Sequence, residues 1–117
     1  MAATIAVTAV AILHLGFLIL EMFLWTKPLG RRIFGLRREF ADQTAALAAN
    51  QGLYNGFLAA GLLWGLFFRP PSDEITVFFL VCVIVAGVYG ALTVKRTILS
   101  IQALPGAIAL ALVMASG

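Results

Sequence analysis

The sequence predicts an all-α membrane protein, a four-transmembrane-helix antiparallel bundle that forms a single domain over residues 1–117. The chain is 62% hydrophobic and 11% charged, whereas soluble domains are about 45–50% apolar and about 25% charged. The apolar residues are concentrated in four stretches, and a helix of about 20 apolar residues spans a bilayer. The basic residues lie in the short segments between these stretches.

The first helix is predicted at about residues 2–25. It ends in Trp25, Lys27 and Pro28, which is the order of an aromatic belt, a flanking charge and a helix stop. A basic segment with interleaved apolar residues follows, at 27–38. Two interpretations of this segment stay open: an interfacial segment in the headgroup layer, or a solvated loop with a few apolar anchors.

The remaining helices are predicted at about residues 41–68, 75–94 and 97–114. The second of the four should end at Arg69 and Pro70, because proline cannot continue a helix. Ser72 or Asp73 is the expected N-cap of the third. Within the fourth, Pro105 lacks the N–H that would bond to the carbonyl of Ile101, so an acceptor should be free there.

The charge distribution predicts the orientation. Seven of the eight Lys and Arg residues lie between the first and second helices or between the third and fourth. The positive-inside rule places these loops in the cytoplasm and both termini outside. Membrane orientation explains the net charge of +3 better than binding to nucleic acid. Cys82 is the single cysteine, which excludes an intramolecular disulfide and a metal site built on cysteines.

Polar residues within apolar helices are the candidate functional residues, because burying them in lipid is costly. Spacing of i and i+7 puts His14 and Glu21 on one face, and Gln51, Tyr54 and Asn55 share another at i, i+3 and i+4. With two residues on the later helices they form the predicted ligand-binding set: His14, Glu21, Gln51, Tyr54, Asn55, Tyr89 and Gln102. We expect these groups to converge on a polar chamber that opens toward the cytoplasm.

Two structural alternatives stay open. The polar groups could serve only as hydrogen bonds between helices, and a cation of the basic loop could form a salt bridge with Glu21. Small residues recur every fourth position at Ala48, Gly52, Gly56 and Ala60. Such a face lets helices approach closely, either within the bundle or between the subunits of a homo-oligomer.

Three segments carry a resemblance to a known family: HLGFLILEMFLW from His14, NQGLYNGFLAAGL from Asn50 and QALP from Gln102. They resemble an uncharacterised family of small bacterial four-helix membrane proteins, a domain-of-unknown-function family. The resemblance covers nearly the whole chain. It implies a multi-pass protein of the bacterial inner (plasma) membrane, and it implies no established activity.

Three functions are compatible with the sequence. The first is binding or transport of a small amphiphilic or lipophilic molecule in a cytoplasm-facing polar pocket, with Glu21 gaining or losing a proton. The second is a membrane enzyme, an isomerase or hydrolase with Glu21 and His14 as the acid–base pair. The third is a structural or accessory subunit. No metal site or cofactor is predicted, because the sequence contains no zinc or phosphate-loop motif.

Overall fold

The computed structural model describes residues 1–68 and 70–116, and all the regular secondary structure among them is helical. Five α-helices and one π-helical segment follow each other in the order α1 (Ala2–Met22), α2 (Pro28–Phe34), α3 (Arg38–Phe67), α4 (Asp73–Thr93), the π segment (Leu99–Ala103) and α5 (Leu104–Ser116). Three helical stretches are long and apolar enough to cross a membrane: Ala2–Met22, Asp73–Thr93 and Leu99–Ser116. The all-α prediction is therefore confirmed.

The first predicted helix was too long at its C-terminal end. α1 ends at Met22, and α2 forms inside the segment that was predicted as a basic loop or interfacial segment. Pro28 starts this helix, because a proline fixes the φ angle that the first helical residue needs and its missing N–H costs nothing there. Gly35 ends it with a φ of 66°, the left-handed conformation typical of a helix C-terminus.

The next two helices match the prediction within three residues. α3 begins at Arg38 and ends at Phe67; Arg69, which was expected at this end, lies outside the described residues. Of the two residues expected to cap α4, Ser72 is the N-cap, and its side chain accepts a hydrogen bond from the Ile75 N–H at 3.2 Å. Asp73 is the first residue of the helix, where an acid complements the helix dipole.

The predicted fourth helix is interrupted. The π segment precedes α5, and the N–H of Leu104 bonds to the carbonyl of Leu99, five residues back. Pro105 lies directly after this wide turn, where it cannot donate a backbone hydrogen bond. The prediction of a free Ile101 carbonyl assumed a regular α-helix, in which residue 105 bonds to residue 101. A π turn bonds residues five apart instead, so that pairing does not apply here.

By its contacts the chain divides into two compact units, one of Met1–Ile12 with Leu58–Gly117 and one of Leu13–Phe57. The first unit contains the apolar core, built from fully buried aliphatic residues of α1, α3 and α4 that include Val7, Leu62 and Leu80, with Ala109 of α5. The three apolar stretches bury only 22% of their most apolar windows. Most of their apolar surface is therefore exposed, as it is in a helix that contacts lipid.

Candidate functional site

The candidate site lies in the second unit, where α1 and α3 approach closely at a glycine pair. A Cβ atom on Gly52 would stand 3.1 Å from the Cβ of Glu21 and 3.2 Å from the carbonyl oxygen of Leu18. One on Gly56 would stand 2.6 Å from the Cδ1 of Leu18. A larger residue at position 52 would therefore push the two backbones apart, and one at position 56 would displace the Leu18 side chain. These two glycines of the small-residue face thus pack within the chain, which is one of the two alternatives that the sequence left open.

This close approach brings a carboxylate and an amide together. The Asn55 Nδ2 donates a hydrogen bond to the Glu21 Oε1 at 2.5 Å. Glu21 is 6% exposed and Asn55 is 8% exposed, so the bond is buried. The exposed Gln51 side chain lies near enough to interact with the same carboxylate. One buried amide of α3 therefore bonds an acid of α1, and Gln51 lies on the same face as that amide by its i and i+4 spacing.

The surroundings of Glu21 decide one of the structural alternatives. No Lys or Arg side chain in the described part of the chain forms an ion pair with its carboxylate. The salt bridge from the basic loop is therefore absent among the described residues. A carboxylate offers two oxygens with roughly four acceptor positions, and the described contacts come from Asn55 and Gln51.

Tyr54 does not lie with the two amides. It is 59% exposed, and its ring makes an edge contact with Phe57, with centroids 5.4 Å apart. Tyr54 is therefore not buried against α1 as Asn55 is, and its part in a ligand site stays a prediction.

His14 is fully buried, and its ring meets the edge of Phe17 with centroids 5.2 Å apart. It lies seven residues before Glu21 on α1, which corresponds to a rise of about 10 Å along the helix axis. A molecule that contacts both side chains would need about that length. A role for His14 in one site with Glu21 therefore stays a prediction.

The last two predicted residues belong to the first unit. Tyr89 is largely exposed on α4, and its carbonyl accepts a bond from the hydroxyl of Thr93 at 2.7 Å. Gln102 is half-buried in the π segment. The convergence of these two side chains with Glu21 stays a prediction.

Sequence reasoning missed the role of Gly52 in the site. The repeat of small residues identified a packing face, but it did not connect that face to Glu21. The available signal was the position of Asn55 three residues after Gly52, which is about 60° from Gly52 around the helix. The Asn55 side chain therefore lies beside the small-residue face that packs on the partner helix.

The comparisons with known proteins agree with the resemblance. Residues 8–114 match the family described as "Protein of unknown function (DUF1304)". The "Uncharacterized protein YpaA" of Lactococcus lactis subsp. lactis (strain IL1403) is 32% identical over 85 residues, which cover 71% of each chain. No solved structure matches. The chain belongs to the DUF1304 family.

Proposed function

We propose that this protein binds or transports a small amphiphilic or lipophilic molecule in the bacterial inner membrane, with the polar group of that molecule at Glu21. One observation carries the proposal: a buried carboxylate at the end of an apolar helix, bonded by one buried neutral amide and with a second amide nearby. A ligand that donates a hydrogen bond, such as an amine or an alcohol, complements this acceptor.

An acid is a costly residue for a purely structural bond. A charged group costs roughly 2.5–3.5 kcal/mol at the centre of a spanning helix on insertion scales, and less near the end of the helix, where Glu21 lies. A glutamine at position 21 would accept the same hydrogen bond from Asn55 without that cost. The acid is therefore better explained by a ligand than by packing alone.

The membrane arrangement is part of the proposal. α1, α3, α4 and the stretch from the π segment to α5 would cross the bilayer as an antiparallel bundle with both termini outside. α3 is 30 residues long, which is about 45 Å, so it can extend beyond a hydrocarbon core of about 30 Å. Its polar N-terminal half would then lie at the cytoplasmic side, next to the basic segment 27–38.

The test uses a panel of probes with one apolar chain and different head groups: dodecylamine, dodecanol and dodecanoate. We expect the amine or the alcohol to raise the melting temperature of the purified protein in detergent. Glu21→Gln should weaken that binding by about tenfold or more, because a hydrogen bond to a charged group contributes about 1.5–3 kcal/mol.

Glu39→Gln is the matched control, because Glu39 is an exposed acid in the first turn of α3. It should bind every probe as the wild type does. If Glu21→Gln also binds every probe as the wild type does, the proposal is wrong.

The hydrogen bond between α1 and α3 favours a second candidate, a structural or accessory subunit in which Glu21 and Asn55 only join two helices. That role predicts no probe binding in the panel and a loss of stability in Asn55→Ala. The enzyme hypothesis has less support, since the rise of about 10 Å between Glu21 and His14 separates the proposed acid–base pair.

A further inference from the structure

The short helix α2 is held firmly against the rest of the second unit. Gly30 is buried, and its backbone contacts the carbonyl of Leu24 so closely that no Cβ atom would fit. The ring of Phe34 packs on Trp25 with centroids 4.9 Å apart. The Trp25 Nε1 in turn donates to the Thr44 hydroxyl at 3.0 Å. α2 is therefore tied to the end of α1 and to the first turns of α3.

A neighbouring face of α2 presents an apolar ridge. Leu29 and Ile33 are one turn apart and lie on the same face, and they are 51% and 53% exposed. Gly30 and Phe34 form the packed face next to it. Exposing two large aliphatic side chains of a seven-residue helix to water is unfavourable.

Cations surround this ridge. The segment 27–38 contains five of them: Lys27, Arg31, Arg32, Arg37 and Arg38. In the part of the chain that the structure describes, no carboxylate pairs with any of the five. The Nε of Arg31 is buried and has no hydrogen-bond acceptor among the described residues. The segment thus combines uncompensated positive charge with exposed apolar surface, and an anionic lipid headgroup layer has the complementary chemistry.

The length of α1 places α2 at the right depth. α1 contains 21 residues, which is about 31 Å and equals a hydrocarbon core of about 30 Å. Five residues separate its end at Met22 from the start of α2 at Pro28. A helix that follows so soon after the span lies at the level of the headgroups.

We infer that α2 lies in the headgroup layer of an anionic leaflet, with Leu29 and Ile33 at the boundary of the acyl chains and Arg31 and Arg32 on lipid phosphodiester groups. This inference does not depend on a ligand at Glu21. It assigns the segment to the first of the two interpretations that the sequence left open.

The test measures depth in nanodiscs that contain the full chain and either phosphatidylcholine alone or phosphatidylcholine with phosphatidylglycerol. A nitroxide is attached to Ile33→Cys in a Cys82→Ala background, with Asp42→Cys as the control because Asp42 is an exposed acid on α3. In the anionic discs we expect position 33 to favour collisions with oxygen over a water-soluble nickel chelate, and position 42 to favour the chelate. A label at position 33 that is as accessible to the chelate as position 42 in these discs would overturn the inference.

A second measurement keeps the native cysteine. In Trp64→Phe, Trp25 is the remaining tryptophan, and lipids brominated near the headgroup should quench it more than lipids brominated at the chain end.

A charge test completes the design. Arg32→Gln should weaken the association of a fluorescent phosphatidylglycerol by about fivefold, since each basic residue near an anionic surface contributes about 1 kcal/mol. Lys95→Gln removes the same charge from another loop and should weaken it less; equal losses would contradict the assignment to α2.

Discussion

Replacing Gly52 by alanine tests whether the contact between α1 and α3 builds the site. The new Cβ would stand 2.8 Å from the Met22 Cγ, 3.1 Å from the Glu21 Cβ and 3.2 Å from the Leu18 carbonyl oxygen. Relaxed carbon contacts measure about 3.5–4.0 Å. Met22 can rotate away, but a backbone carbonyl and a Cβ atom cannot, so α1 and α3 must separate by roughly 0.3–0.5 Å.

Overpacking of this kind costs about 1–3 kcal/mol, and the free energy of unfolding should fall by that amount. The assay is unfolding by sodium dodecyl sulfate in mixed micelles, followed by tryptophan fluorescence. Gly56→Ala should cost less, because its Cβ would meet the flexible end of the Leu18 side chain.

Gly16→Ala is the matched control for this series, because a Cβ on Gly16 meets nothing within 4 Å. Its free energy of unfolding should stay the same or rise by up to about 1 kcal/mol, since alanine favours a helix over glycine. The expected order of destabilisation is Gly52 first, Gly56 second and Gly16 last. If Gly52→Ala unfolds like Gly16→Ala, then α1 and α3 do not make this contact in the membrane protein.

Three further predictions concern other contacts. Asn55→Ala should lower the free energy of unfolding by about 1–3 kcal/mol, because it leaves the buried Glu21 oxygen without its donor; Glu21→Gln should cost less, since it keeps an acceptor. Ser72→Ala should cost about 0.5–2 kcal/mol through the lost cap of α4, whereas the exposed Ser100→Ala should be neutral. Gly35→Ala should cost about 1–2 kcal/mol, because alanine is disfavoured at a φ of 66°. Each is measured by the same unfolding assay.

The sequence predicted that Gln51, Tyr54 and Asn55 share one face, whereas Asn55 is buried against Glu21 and Tyr54 is exposed, and helix geometry explains the difference. Successive residues are about 100° apart around a helix. Gly52 and Gly56 mark the face of α3 that packs on α1, and Asn55 lies about 60° from Gly52 around the helix. Tyr54 is two residues after Gly52, so it lies about 160° from Gly52, on the opposite side of the helix. The small residues therefore identify the face of α3 that packs on α1 better than the polar residues do.

The sequence could not predict α2 as firmly as the long helices. Seven residues are too few for a hydrophobic period to identify a helix. Pro28 was interpreted as the stop of the preceding helix, but a proline serves equally well as the first residue of the next one. The contacts that hold α2 in place, from Gly30 to Leu24 and from Trp25 to Thr44, join residues that no local pattern connects.

These same contacts bear on the burial of Glu21. The carboxylate lies one residue before the end of α1, so a shift of α1 by one turn, about 5.4 Å, would carry it into the headgroup layer and into contact with water. Such a shift would have to break the packing of Gly30 on Leu24 and the bond from Trp25 to Thr44. These contacts would therefore resist such a shift of α1. If the headgroup layer holds α2, then the depth of Glu21 depends on the membrane surface as well as on the bundle.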